Sequence, residues 1–107
     1  MNEKLLHLLG IARRAGRLDL GTEAVRDAVR KHRAALVLLA SDVSPRTASN
    51  TSSSAQQAGI PARTIRPTMN EVEAALGKRA GVIAVNDMGF AKKLLALIAE
   101  IEEESEQ

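Results

Sequence analysis

Asp42 and Asp87 are the residues most open to a chemical role. Each follows a short apolar run and precedes a helix-like segment. Carboxylates at neighbouring strand ends can hold Mg²⁺ through oxygen ligands. Aspartate at such positions also caps the open N–H groups of a helix start, which is the simpler reading. His7 and His32 lie far apart with no metal-spaced neighbour, and cysteine is absent, so thiolate zinc sites, disulfides and thiol nucleophiles are excluded. No serine, histidine and aspartate fall into a nucleophile-and-base arrangement. Gly77-Lys78-Arg79-Ala80-Gly81 surrounds two cations with glycines, but it is too short for a P-loop and lacks the Gly-Lys-Ser/Thr ending. The expectation is a protein with neither an enzymatic centre nor a cofactor.

What remains is a binding surface. Gly21 stands at the start of a short helix with a basic end. First-turn N–H groups have no partners within a helix, and the dipole is positive there, so a helix start receives phosphates and base edges. If the apolar runs at Ala35 and Val82 are parallel neighbouring strands, Gly21–Glu23 and the Gly77–Gly81 loop line one edge of the fold. Short polar groups there would meet exposed base edges, and Lys78 and Arg79 would meet phosphates. Arg79 is favoured over Lys78 because a planar guanidinium bridges phosphate oxygens or stacks on an unpaired base.

Composition fits that reading. The 107 residues suit one domain. Apolar residues make up 45% but aromatic ones only 1%, with Phe90 the single Phe, Tyr or Trp. The core must therefore be aliphatic, and stacking of bases on aromatic platforms is nearly excluded. The formal charge of +2 conceals an asymmetry: residues 1–99 carry +7, and the last eight residues hold five glutamates. A basic body is the usual electrostatic footprint of a nucleic-acid binder. No apolar run reaches the ~20 residues that span a bilayer, and Glu3 and His7 interrupt the apolar N-terminal stretch, unlike a secretory signal. A cytoplasmic monomer without membrane contact is expected, with a domain over 1–101 and an acidic tail over 102–107 that frays.

The elements that must position these residues follow from periodicity. Leu5, Leu8, Leu9 and Ala12 make one helical face, and Gly16 is placed to end that helix. Val25, Ala28 and Val29 form the inward stripe of the next. Ala35–Ala40 and Val82–Val85 are apolar throughout, as strands covered on both faces are. Ser44-Pro45 reads as N-cap and first helical residue. The Ser/Thr/Asn-rich segment after it is a poor helix former, either a crossover helix or a serine-rich linker. Thr68 and Glu71 are spaced as a capping box. The pattern predicts helices near 3–15, 22–32, 45–58, 68–76 and 88–101, with strands near 18–20, 35–40, 62–66 and 82–85. The fold class is α/β: a three-layer α/β/α sandwich with a small mixed four-stranded sheet.

Several stretches carry a resemblance: Leu9-Gly10-Ile11-Ala12-Arg13-Arg14-Ala15-Gly16-Arg17, then Gly21, then Ala35–Asp42 with Ser44 and Thr47, Ile60-Pro61, and Val85-Asn86-Asp87-Met88-Gly89-Phe90-Ala91-Lys92-Lys93-Leu94. In order and spacing the chain resembles the bacterial YlxQ-type branch of the L-seven-Ae/L-thirty-e ribosomal-protein superfamily, over about residues 4–98. The resemblance implies a three-layer α/β/α fold and, in the wider superfamily, binding of kink-turn RNA. The superfamily motif at the second helix is Gly-x-Asn-Glu-x-x-Lys. Aligned without gaps, Gly21 and Thr22 match its first two positions, and Glu23, Ala24 and Asp27 stand at Asn, Glu and Lys. A shift by one places Thr22, Glu23 and Arg26 there but spoils the inward stripe. The loop that closes on the kink turn maps to Gly77–Gly81. The expected RNA-binding residues are therefore Gly21, Thr22, Glu23, Arg26, Asp27 and Arg30 on the helix, with Lys78, Arg79, Ala80 and Gly81 in the loop. The implied partners are ribosomal or other structured RNA and ribosomal or translation-factor proteins. The alternative is a protein-interaction module of an RNA-rich complex that has lost kink-turn recognition.

Overall fold

The computed structural model describes residues 2–105. Five helices alternate with four strands: α1 Asn2–Arg14, β1 Leu18–Leu20, α2 Thr22–Arg30, β2 Leu36–Leu39, α3 Pro45–Gln57, β3 Ala62–Thr64, α4 Met69–Leu76, β4 Val82–Val85 and α5 Met88–Ser105. The strands form one mixed sheet in the order β1-β4-β2-β3, in which only β2 and β3 run parallel.

Side chains alternate across a strand, and that alternation divides the core. Leu36, Leu38, Ile83 and Val85 join Leu5 and Leu9 of α1, Val72 of α4 and Leu94 and Ile98 of α5 on one face. Val37, Leu39, Val82 and Ala84 meet Val25, Ala28 and Val29 of α2 and Ala55 of α3 on the other. The sheet is thus covered on both sides, which is why its two central strands are apolar at every position. No described helix is long and apolar enough to cross a membrane.

The caps act as the sequence indicates. Gly16 follows α1 with φ 73°. The Ser44 Oγ accepts from the Thr47 N–H, with Pro45 in the first turn, so the Ser/Thr-rich segment is a helix and not a linker. It holds because Ala55 is buried against the sheet and the Ile60 N–H closes on the Ala55 carbonyl at 2.8 Å. Thr68 and Glu71 complete a reciprocal capping box.

Two expectations change. β2 and β4 pair antiparallel, Leu36 opposite Val85 and Leu39 opposite Val82, and not parallel. The helix α5 also runs through the glutamates to Ser105, where a frayed tail is expected from residue 102. Ile101 is buried with Leu94 and Ile98, and the Arg66 Nη2 donates to its carbonyl at 3.3 Å. A cationic donor near a helix C-terminus favours the dipole. The last two residues of the expected tail, Glu106 and Gln107, lie outside the described residues.

Candidate nucleic-acid interface

Antiparallel pairing is what assembles the site. α2 leaves the sheet at the end of β1, and β4 begins beside that end. The antiparallel β1–β4 pair, Leu20 opposite Ile83, sets Gly21 beside Gly81, and the antiparallel β2–β4 pair brings the end of β2 to the same edge. Four hydrogen bonds tie the edge together: the Gly21 N–H to the Val82 carbonyl (3.0 Å), the Ala40 N–H to the Gly81 carbonyl (2.8 Å), the Ser41 N–H to the Pro67 carbonyl (2.9 Å), and the Met69 N–H to the Asp42 Oδ1 (2.9 Å). The starts of α2, α3 and α4 therefore converge on one edge, each with a positive dipole end.

Gly21 caps α2 with φ 100° and ψ 160°, a conformation closed to residues with a Cβ. Among the described residues no side chain caps this helix start, so its first N–H groups are left without a side-chain acceptor. Thr22 and Glu23 are exposed beside it. Ala24, at the superfamily's Glu position, shares a shallow hollow with Leu20, Arg13 and Lys78. The 77–81 loop thus lies against the flank of the first turn of α2.

The loop cations differ in freedom. The Arg79 Nη1 donates to the Asn70 Oδ1 and lies 3.9 Å from the Glu73 Oε1, so Arg79 is drawn onto α4. Lys78 is exposed and has no ion-pair partner among the described residues. Ala80 is only 4% exposed and packs into the core, so its side chain offers no surface contact. Gly81 is the close-approach point. A Cβ there would sit 2.6 Å from the Val43 Cγ1 and 3.1 Å from the Met69 Sδ.

The remaining helix residues are distributed over two sides of α2. Arg26 faces α3 and is unpaired among the described residues. Asp27 is surrounded by cations: Arg30 Nη2 at 2.9 Å, Lys31 Nζ at 3.3 Å and Arg33 Nη2 at 3.3 Å. The Arg30 guanidinium, with help from Lys31 and Arg33, holds its carboxyl below the usual range. Arg33 also reaches the Asp19 Oδ2 at 3.3 Å, which accepts from the Asn86 Nδ2 at 2.8 Å. Asp27 and Arg30 therefore belong to an ion-pair network along α2.

Asp42 and Asp87 act as caps, on the Met69 and Phe90 N–H groups respectively. Asp42 caps α4 and not the helix that follows it in sequence. Among the described residues no group of three or more His, Cys, Asp or Glu is placed to hold a metal. Arg13 donates to the Leu76 carbonyl at the end of α4, and Arg17 approaches Asp87 at 3.9 Å, so of the three arginines at 13, 14 and 17 only Arg14 stands unpaired among the described residues. Sequence reasoning missed Val43 and Met69, which back the loop at Gly81. It also did not read Thr47, Thr51 and Ser54 together as one face turned toward α2, although their i, i+4, i+7 spacing is a readable signal.

The family model described as Ribosomal protein L7Ae/L30e/S12e/Gadd45 matches residues 3–95. A Bacillus subtilis protein named RNA-binding protein YlxQ is 36% identical over 96 residues, 85% of this chain and 91% of its own. An Enterococcus faecium protein of the same name is 31% identical over 96 residues, 90% of this chain and 92% of its own. A solved structure from Bacillus halodurans, described as a protein with unknown function, superposes with a TM-score of 0.84 at 37% identity, covering 90% of this chain and 97% of its own. The Giardia lamblia 15.5kD RNA binding protein shares the fold, with a TM-score of 0.75 at 17% identity, covering 95% and 88%.

Proposed function

The chain belongs to the ribosomal protein L7Ae/L30e/S12e/Gadd45 family, and from that premise we propose that it is a non-enzymatic protein that binds structured RNA through the edge where the α2 start meets the 77–81 loop. The observation that carries this reading is the uncapped Gly21 helix start, bonded at 3.0 Å to the strand that leaves Gly81. Its N–H groups suit phosphates and base edges, and Lys78 adds a free cation. The names of the two curated relatives support RNA as the ligand. On this reading the protein acts in the cytoplasm as a monomer, beside ribosomal or translation-factor proteins.

Specificity departs from the superfamily pattern. Glu23, Ala24 and Asp27 replace Asn, Glu and Lys of the motif, which removes an amide, a carboxylate and a cation from those positions. The protein discriminates a kink-turn RNA from an unkinked control by less than about a hundredfold, some 2.7 kcal/mol. Phosphate contacts dominate. Engaging about four to six of them gives a log–log salt slope of about −3 to −4 on single strands. Both are read by titrating kink-turn, unkinked and bulk ribosomal RNA at two salt concentrations. Salt-insensitive tight binding contradicts the reading, and no binding at ~50 mM salt favours the protein-interaction module.

The two loop cations are expected to separate. Lys78→Ala lowers affinity and reduces the salt slope by about one contact. Arg79→Ala has the smaller effect, because its guanidinium is already engaged by Asn70 and Glu73. Equal or reversed losses in the same titration would place Arg79 on the RNA.

A further inference from the structure

β3 is an outer strand of the sheet, three strands away from β1. Its register against β2 places the Val37 N–H on the Pro61 carbonyl and the Ile65 N–H on the Leu39 carbonyl. In a parallel pair this turns the backbone groups of Arg63 inward, toward β2. The N–H and C=O of Ala62 and Thr64 therefore point to the open side, where no other strand of the described residues pairs with them. The Arg63 Nη1 folds back onto one of these groups, the Ala62 carbonyl, at 2.9 Å. That guanidinium has no carboxylate partner among the described residues.

A crevice of about 100 Å³ opens at the end of the same strand, with Leu5 of α1, Ile65, and Ile98 and Ile101 of α5 as its floor. Arg66 and Glu102 stand at its rim. It is smaller than the ~150 Å³ cavity that accepts a benzene ring, and so suits one aliphatic side chain. Ile65 faces the α1, α4 and α5 layer and Ala62 the opposite layer, so by alternation Arg63 shares the side of Ile65. A strand added along β3 carries one side chain over the crevice beside Ile65 and another, two positions away, beside Arg63.

We propose that the open edge of β3 receives an extended segment of a partner protein, with an aliphatic residue in the crevice and a carboxylate two positions away on Arg63. Backbone hydrogen bonds to Ala62 and Thr64 give the affinity, and the two side chains give the specificity. An incoming N–H replaces Arg63 on the Ala62 carbonyl, and the freed guanidinium turns to the carboxylate. A cation on an edge strand also guards against self-pairing. Antiparallel pairing of two β3 strands about Arg63 sets guanidinium against guanidinium, which disfavours a second copy as the occupant. A guard alone leaves the aliphatic crevice beside it without explanation. This inference is independent of the RNA reading.

The test uses acetylated, amidated octapeptides that differ only at their centre, which reads Glu-x-Leu, Leu-x-Glu, Lys-x-Leu, Leu-x-Lys or Glu-x-Asn. The full chain binds one of the two Glu and Leu peptides at least about tenfold more tightly than its Lys and Asn counterparts. Methylating alternate backbone amides of that peptide abolishes binding. Arg63→Glu reverses the preference toward the Lys peptide. Thr64→Pro removes an outward N–H, a change that an edge strand tolerates, and it abolishes peptide binding while RNA affinity stays at the parental level. Circular dichroism confirms that each variant is folded. No peptide bound at concentrations up to about 1 mM, or equal affinity for all five, overturns the proposal. So does a preference that Arg63→Glu leaves in place. Self-association of the chain that Arg63→Glu or Thr64→Pro abolishes would assign the edge to a second copy and overturn it too.

Discussion

Asp27→Lys strengthens RNA binding by about ten- to fiftyfold at ~0.1 M salt. Each added phosphate contact contributes about 0.7–0.9 to the salt slope, or roughly five- to eightfold in affinity at that concentration. The substitution removes a carboxylate that three cations now surround, adds a cation of its own and frees the others to reach phosphate. Because the Asp27 carboxyl is held below its ordinary range, chiefly by Arg30, it stays ionised throughout the neutral range. Its restraint on Arg30, Lys31 and Arg33 is lost only as pH falls through that lowered value. Asp27→Asn gives an intermediate gain. Stability changes little in both variants, since exposed ion pairs contribute about 0–1 kcal/mol. The measurement is affinity for one RNA across a salt series, with the slope steepening by about one to two contacts in the lysine variant. An unchanged slope would place this side of α2 away from the RNA.

Gly81→Ala and Gly10→Ala move stability in opposite directions. At Gly81 the new methyl falls 2.6 Å from the Val43 Cγ1. Valine is stiff about χ1, so the loop or the start of α3 must shift. Overpacking of this kind costs about 1–3 kcal/mol. The shift also reaches the bond from the Ala40 N–H to the Gly81 carbonyl, one of the four that hold the edge, so RNA affinity falls in parallel. At Gly10, inside α1, the nearest atom to a Cβ is the Arg14 Nη1 at 3.6 Å, an ordinary contact. Alanine there gains about 0.5–1 kcal/mol by restricting the unfolded chain. Urea denaturation separates the two: the midpoint falls for Gly81→Ala and rises for Gly10→Ala, with m unchanged in both. A stable Gly81→Ala with parental RNA affinity would show that the close packing of the loop is dispensable.

The element order was legible because its signals are local. Leu5, Leu9 and Ala12 lie within two turns of one another, Ser44 caps a residue three places on, and Thr68 and Glu71 cap each other. Such spacings are set by helical geometry alone. The all-apolar runs at Leu36–Leu39 and Val82–Val85 likewise required cover on both faces wherever they lay. The length of α5 was less legible, because its last turns are held by the packing of Ile101 and by Arg66, a residue from another part of the chain.

The candidate site was legible in its pieces and not in its assembly. Gly21 and the 77–81 loop are visible as a helix start and a basic glycine-flanked turn. Their ranking changed on folding: Ala80 enters the core, Arg79 is drawn to Asn70 and Glu73, and Asp27 gathers three cations. The sequence by itself determined the helices, the caps, the two-sided sheet and the basic balance of the body. Only the tertiary structure decided the order β1-β4-β2-β3, the antiparallel sense of β2 and β4, and the reach of Asp42 to the start of α4. The physical reason is that an apolar strand satisfies the same local pattern in either direction. Direction and neighbour are fixed by which faces close the core between elements far apart in the chain, and that choice is what brings Gly21 to Gly81.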